Sequence, residues 1–430
     1  MADQPVLCVD LDGSLIRTDL LHESTLLLAK QHPLALLALP GWLAQGKAAM
    51  KSRIAERVAP DPALLPYRED LLVWLREQRA QGRKLVLCTA SDQRYARAVA
   101  DHLQLFDEVI ASDGATNLSS HRKESALVER YGARGYDYVG NARADLAVWR
   151  SARHAIVVGG ASLQAAAAAQ TTVERSFPPE SAGARAWLKG LRLHQWLKNV
   201  LLFLPLLGAH RWYDAHAWLA VLTAFFAFGL CASAVYVIND LFDLESDRQH
   251  PRKRLRAFAS GSLSIPAGLV VGGVLFVLAF ALATQVSLGF VLWLGAYVVL
   301  TKSYTFVMKS VALIDCLALA GLYTLRIVAG GAAIVQPVSF WLLAFSLFLF
   351  LSLAFVKRYA ELVLMVASGK TGAKGRAYVA DDRQLLQSFG VSAGFASALV
   401  LALYLNSDVV LKLYSHPDRL WFTLPVLLFW

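Results

Sequence analysis

From residue 191 to residue 430 charge is confined to short islands, and between the islands lie apolar runs long enough to cross a bilayer. A hydrocarbon core takes roughly 17–25 apolar residues of helix to span. Runs near 193–209, 216–238, 266–284, 287–305, 311–334, 338–356 and 384–405 meet that length. The final TLPVLLFW is expected to open an eighth span that is cut short at residue 430. No water is available inside a bilayer, so each run must satisfy its own backbone hydrogen bonds, and these runs are expected to be helices. Residues 1–190 mix charged and apolar residues as a water-soluble domain does. The sequence therefore predicts two parts: a soluble domain and then an all-α membrane bundle.

The islands give an orientation. Loops at 239–265, 302–310 and 357–383 carry 13 Lys and Arg, whereas the opposite loops at 210–215, 285–286, 335–337 and 406–419 carry Arg211, Lys412 and Arg419. Lysine and arginine collect in cytoplasmic loops, which places residues 1–190 and the 239–265 loop in the cytoplasm. The opening MADQPVLCVDLDG has no basic segment before an apolar core, so no secretory leader is expected. The net charge of +10 is read as this loop bias and not as a nucleic-acid surface. Cys8, Cys88, Cys231 and Cys316 are far apart and form no CxxC pair, so they read as reduced core residues. In SAGARAWLKGLRLHQWLKN (181–199), Trp187, Leu188, Leu191 and Trp196 alternate with Arg185, Lys189, Arg192 and Lys198. That pattern suits an interfacial helix or the snorkelling end of the first span.

One island is unlike the rest. NDLFDLESDRQHPRKRLR (239–256) holds four acidic side chains within nine positions, followed by Arg248, Arg252, Lys253, Arg254 and Arg256. On a continuous helix Asp240, Asp243 and Asp247 share a face, with Asn239 beside them. Carboxylates so placed repel one another unless a cation lies between them. Mg²⁺ is commonly shared between a few carboxylates and substrate phosphates, and it turns a diphosphate into a leaving group. Arg248, Lys253 and Arg254 would hold further phosphates.

The spacing NDxxDxxxD at the end of a span resembles the first aspartate-rich motif of UbiA-type intramembrane prenyltransferases. The resemblance covers about residues 190–430 and implies a helical bundle open to the cytoplasm, Mg²⁺ and a diphosphate substrate. Where quinone-pathway members carry a second DxxxD motif, this chain has Asp315 and Glu361 but no such pair. LRLHQWLKN (191–199), LRIVAGG (325–331) and KRYAEL (357–362), taken with the acidic island, resemble the decaprenyl-phosphate phosphoribosyltransferase branch. That branch joins phosphoribosyl pyrophosphate to a polyprenyl phosphate. The resemblance implies that Lys198, Arg326, Lys357 and Arg358 bind phosphate groups, and that Glu361 completes the metal site or holds ribose hydroxyls. Arg326 falls inside an apolar span, where an unpaired cation is costly, so a phosphate partner is expected for it.

In the first part, VLCVDLDGSLIRTD (6–19) reads as a buried strand tipped by Asp10 and Asp12. KLVLCTAS (84–91), EVIAS (108–112), YDYVGN (136–141) and HAIVVGG (154–160) alternate with helix-like stretches, including the Ala-rich 161–170. The pattern predicts a parallel α/β sheet, Rossmann-like, with ligands at the strand tips. DLDGS at 10–14 resembles the first motif of haloacid dehalogenase-like (HAD) phosphohydrolases. The resemblance implies that Asp10 is the nucleophile and Asp12 the general acid/base, that Thr89 and Lys123 bind the phosphoryl group, and that Asp10, Asp12, Asn141 and Asp145 bind Mg²⁺. Asn141 stands in GNARAD where the family commonly has a carboxylate. Expected boundaries are 1–175 for this domain, with a helical cap at about 20–80, 176–192 for a linker, and 193–430 for the membrane domain.

Read together, the halves predict a two-step enzyme. The membrane part would make a polyprenyl-linked 5-phosphoribose, and the HAD part would remove its 5-phosphate on the way to lipid-linked arabinose. The alternative is an aromatic prenyltransferase of quinone synthesis with a phosphatase of unknown substrate.

Overall fold

The computed structural model describes residues 5–178, 183–367, 378–408, 410 and 416–429. Lys412 and residues 368–377 of the basic loop at 357–383 lie outside the described residues. The chain divides into two compact units, Met1–Leu191 with Tyr236–Gly272, and Arg192–Val235 with Gly273–Trp430. The first therefore includes the acidic island as well as the soluble domain.

Six parallel strands form the sheet of the first unit: β1 (Val6–Val9), β2 (Leu85–Asp92), β3 (Glu108–Ser112), β4 (Tyr136–Gly140), β5 (His154–Val158) and β6 (Thr172–Phe177). Their order is β3-β2-β1-β4-β5-β6, and every pairing is parallel. The direction of winding reverses between β1 and β4, and in such sheets ligands collect outside the strand tips at that point. The apolar runs follow from burial on both faces. Leu7, Val9, Leu87, Val139 and Ile156 face one core, while Cys8, Val86, Cys88, Tyr138 and Val157 face the other. β6 is the element missed in the sequence, because at the sheet edge Thr172, Glu174 and Arg175 are exposed and break the apolar run.

Between β1 and β2 lie α1 (Leu20–Gln31), α2 (Leu39–Ala44), α3 (Lys47–Ala55) and α4 (Glu69–Ala80). The first three share a small core of Leu27, Leu28, Ile54 and Val58, with Leu39 and Trp42 packed against it. Of the stretch at 20–80 expected to be a cap, α4 behaves differently. Its Leu71, Leu72, Trp74 and Leu75 enter the main core of the sheet. It is the crossover that any parallel β1–β2 connection requires, which leaves α1 to α3 as the insertion.

Among the described residues six helices are long and apolar enough to cross a membrane: Ala215–Phe242, Ile265–Thr284, Leu288–Ser310, Ile314–Ala333, Phe340–Ala367 and Ala380–Leu405. The first expected span, near 193–209, is not a span-length α-helix. It folds as a 3₁₀ helix, Leu193–Phe203, and a short α-helix, Leu204–Gly208, with Pro205 in the first turn of the latter. Proline has no N–H to give to the preceding turn, so the α ladder cannot run through it. A 3₁₀ helix rises about 2 Å per residue, so the segment still reaches about 30 Å, the thickness of a hydrocarbon core. The expected interfacial helix is likewise shorter, Ala184–Gly190, and Arg192 follows in a left-handed conformation at φ 52°.

Candidate active sites

At the switch point of the sheet, Asp10 follows directly on β1 and is 7% exposed. Lys123, on the helix His121–Tyr131, donates to Asp10 Oδ1 at 2.7 Å and to the Tyr138 hydroxyl at 2.8 Å. Tyr138 in turn donates to Asp145 Oδ1 at 3.1 Å. Asp145 Oδ2 accepts from the backbone N–H groups of Asn141 and Ala142, each at 3.0 Å. Ser14 donates to Asn141 Oδ1 at 3.1 Å. Burial raises the Asp10 carboxyl to about 7 against the pull of the Lys123 charge. Lys123 thus fixes one oxygen of Asp10, while Oδ2 makes no hydrogen bond among the described residues. A carboxylate held by one oxygen and free at the other is poised as a nucleophile.

Asp12 is held separately. Its Oδ1 accepts the Leu20 N–H, at the start of α1, at 2.8 Å, and its Oδ2 accepts Ser91 Oγ at 2.7 Å and Thr89 Oγ1 at 3.2 Å. Of the four residues expected to bind metal here, Asp10, Asn141 and Asp145 are tied together through Lys123, Tyr138 and the loop after β4. Asp12 sits outside that network, on Thr89 and Ser91. Gly13 is required directly after Asp12. Its φ is +74°, and an added Cβ would lie 2.1 Å from Asn141 Nδ2. Ser91, Tyr138 and Lys51 also line this candidate site, and sequence reasoning missed them. Lys51 reaches from α3 to the Ala90 carbonyl at 2.6 Å, and burial lowers its pKa. At the opposite ends of the strands Asp137, His154 and Glu174 are close enough to share a metal, but Asp137 is already bound by Arg83, Arg153 and the His154 N–H.

The acidic island is a helix with one break. Ala215–Phe242 ends before Asp243, whose φ, ψ of −98°, 9° start the short helix Leu244–Gln249. The i to i−4 bonds persist across the break, Asp243 N–H to Asn239 O at 3.0 Å and Asp247 N–H to Asp243 O at 2.8 Å. Asp240 and Asp247 are 5% and 1% exposed, and they share one guanidinium. Arg256 Nη1 lies 3.3 Å from Asp240 Oδ1 and 2.7 Å from Asp247 Oδ2, with Lys253 4.0 Å from Asp247. Burial raises the Asp247 pKa, and Arg256 pulls it back. This all-oxygen set, which already draws a positive charge between two carboxylates, fits a hard divalent cation. Lys253 and Arg254 are exposed, whereas Arg248 is committed elsewhere. Arg248 grips both oxygens of Glu23 on α1 at 2.7 and 3.1 Å and donates to the Ala259 carbonyl at 2.8 Å. With its partners filled it offers little to a phosphate.

The remaining predicted residues lie in the second unit. Arg358, 1% exposed, makes a bidentate pair with Asp315, donates to the Tyr304 hydroxyl at 3.0 Å and reaches Glu361 at 2.7 Å. Lys357, its neighbour, is exposed. Arg326, 5% exposed, donates to Asn199 Oδ1 at 3.2 Å and to the Leu322 carbonyl. Its charge lies over the rings of Phe228 and Tyr297, each at 5.1 Å, and Tyr323 at 5.6 Å. Lys198 lies 5.6 Å from the same Tyr323 ring.

Fold and sites together define a multi-pass membrane protein joined to a parallel-sheet α/β domain. It belongs to the UbiA prenyltransferase family, whose model matches residues 201–429, more than half of the chain, while residues 7–150 match the haloacid dehalogenase-like hydrolases. The chain is 38% identical over 421 residues to a Sinorhizobium fredii protein, y4nM, covering 97% of this chain and 81% of that one. Nodulation protein NoeC of Azorhizobium caulinodans is 37% identical over 52% of this chain and 73% of its own length. Decaprenyl-phosphate phosphoribosyltransferase of Mycobacterium tuberculosis is 37% identical over 186 residues, which are 42% of this chain and 62% of that enzyme. Among solved structures, a UbiA homolog from Archaeoglobus fulgidus bound to DMAPP and Mg²⁺ aligns over 56% of this chain and 83% of its own, at 15% identity and a TM-score of 0.44.

Proposed function

We propose that the membrane part transfers 5-phosphoribose from phosphoribosyl pyrophosphate to a polyprenyl phosphate, and that the HAD part removes the 5-phosphate from that product, on the route to lipid-linked arabinose. The carrying observation is the acidic turn, in which Asp240 and Asp247 are buried and share Arg256 while Asp243 starts the next helix. The likeness to phosphoribosyltransferases supports the same substrate pair. A quinone-type reading would draw on a second acidic motif, but Asp315 and Glu361 are both engaged by Arg358. The bias of Lys and Arg between alternate loops supports a place in the cytoplasmic membrane with both sites facing the cytoplasm.

Asp240, Asp243 and Asp247 would hold Mg²⁺ in the membrane part, and Asp10, Asn141 and Asp145 would hold it in the HAD part. When bound it neutralises charge on the departing diphosphate or on the phosphoryl group under attack. In the transfer, an oxygen of the lipid phosphate bonds to the anomeric carbon as the bond to diphosphate breaks. Arg256 balances the carboxylates while no substrate is present. In the hydrolysis, Asp10 Oδ2 attacks phosphorus and Asp12 protonates the departing ribose oxygen. Asp12 then takes a proton from the water that releases phosphate from Asp10. Lys123 and Tyr138 keep Asp10 and Asp145 in register throughout. A phosphatase fused to the transferase meets a lipid product held in the same membrane at raised effective concentration.

The test uses purified protein with Mg²⁺, polyprenyl phosphate and ribose-labelled phosphoribosyl pyrophosphate. Label is expected to enter lipid with wild type and Asp10→Asn, and not with Asp243→Asn. The 5-phosphate is expected to persist only in the Asp10→Asn product. Absence of lipid label with every polyprenyl phosphate offered would overturn the transfer reading, and unchanged dephosphorylation by Asp10→Asn would overturn the second step.

A further inference from the structure

The stretch PLALLALPGWLA, Pro33–Ala44, carries no charged side chain, yet it lies on the outside of the insertion between β1 and β2. It folds as a 3₁₀ helix, Pro33–Ala38, that runs into α2. One face does what a soluble insertion needs. Leu36, Leu39 and Trp42 pack on the small core of Leu27, Leu28, Ile54 and Val58. The other face is just as apolar and is bare. Leu34 and Leu37 are each 81% exposed and Leu43 49%, and Pro40, Gly41 and Ala44 beside them are exposed too. Single exposed leucines need no explanation, but a contiguous apolar patch does. A helix that is apolar all round belongs in a protein core or a bilayer. This one is too short to cross a hydrocarbon core, which takes roughly 17–25 residues.

Its place in the chain and its charge point to what covers it. α1 leads into the stretch, and Leu26 of α1 packs on the cluster that holds Leu241, Leu244, Leu263 and Ile265. Leu241 lies in the last turn of the apolar helix Ala215–Phe242, and Ile265 is the first residue of the next. The cluster therefore marks the level at which two membrane-spanning helices end. Pro33 follows Leu26 by seven residues, about 10 Å of helix at the usual rise. The bare face thus starts close to the bilayer boundary. From Ser24 to Ala55 the chain has no Asp or Glu, while Lys30, Lys47 and Arg53 are exposed. An apolar face flanked by basic side chains suits a surface of anionic headgroups. A second copy suits it less, because a twofold contact would set the same basic residues against each other.

We propose that Pro33–Ala44 is an interfacial anchor, which sinks Leu34, Leu37 and Leu43 into the lipid surface and holds the insertion of the sheet domain against the membrane. Leu36, Leu39 and Trp42 fasten the anchor to the domain, and α1 fastens the domain to the ends of the spans. The inference does not depend on which reactions the two candidate sites catalyse.

The experiment uses the full chain in nanodiscs of phosphatidylcholine and phosphatidylglycerol. The four native cysteines are buried, so a fluorophore can be placed at Leu37→Cys and, as a control, at Glu77→Cys on the exposed face of α4. Quenching by doxyl-labelled lipid is compared with quenching by aqueous iodide. The Leu37→Cys label is expected to be quenched by the lipid and shielded from iodide by about fivefold or more relative to the control. Adding Leu34→Asp and Leu43→Asp should open that label to iodide and abolish the lipid quenching. Thermal unfolding in detergent should not change, because both leucines face outward. A Leu37→Cys label that is open to iodide and untouched by doxyl lipid would overturn the anchor. Energy transfer between labelled copies, with no quenching by lipid, would overturn it and assign the face to a second copy. Lipid quenching that survives the two aspartate substitutions would also overturn it, since the dye and not the protein would then be seeking the bilayer.

Discussion

Arg326 and Arg358 are both nine-tenths buried or more, and both lie in apolar helices of the same unit. Arg358 has two carboxylates and a tyrosine hydroxyl around it. Arg326 has an amide, a carbonyl and three rings. The first cluster is closed, with its charge cancelled within the protein. The second is open: among the described residues no carboxylate lies at ion-pair distance from its charge. A closed pair should matter to stability, an open one to function.

The contrast can be tested by removing single partners. Arg358→Leu leaves Asp315, which is 0% exposed, without its counter-ion. The expected loss is about 3–5 kcal/mol, read by unfolding in detergent. Adding Asp315→Leu should recover much of it, since no buried charge then remains. Glu23→Gln should cost about 3 kcal/mol by the same argument, because Arg248 is 7% exposed at its side chain and would lose its carboxylate. Gly13→Ala meets both a positive φ and the Asn141 amide, and strain of about 1–3 kcal/mol should appear as slowed phosphate release with lipid transfer unchanged. Arg326→Leu should change stability by less than about 1 kcal/mol, because the buried charge it removes had no ion partner to lose. If Arg326→Leu destabilised the protein as much as Arg358→Leu, the division into closed and open clusters would collapse.

Much of the architecture was legible because each element advertises its own burial. Five strands showed as apolar runs, since parallel strands are covered on both faces, and six spans showed by length. The rest depended on partners distant in sequence. Nothing near Arg358 or Arg326 announces that Asp315, 43 residues away, serves the one and Asn199, 127 residues away, the other. The sequence expects both to bind phosphate; in the structure Arg358 finds an internal counter-ion in Asp315, and among the described residues Arg326 finds none. The motif positions Asp10, Asp12, Thr89, Lys123 and Asp145 do converge on the strand tips. Ser91, Tyr138 and Lys51 carry no local signal, because what makes them important is the meeting of separate strand and helix ends. The 3₁₀ course of Leu193–Phe203 escaped for a different reason: hydropathy measures apolar length and is blind to the hydrogen-bond ladder that Pro205 interrupts.

The grip of Arg248 on Glu23 also sets an order of events during synthesis. Glu23 emerges from the ribosome early, but its partner follows 225 residues later, after the sheet has closed at Phe177 and after the whole apolar helix Ala215–Phe242. Until then α1 carries a carboxylate with no counter-ion. Its Leu26 also waits for Leu241, Leu244, Phe258 and Leu263 to cover it. The domain that looks separable on paper is therefore completed by a stretch of chain made only once membrane insertion has begun. A gene cut after residue 190 would yield a sheet domain with an unfinished flank.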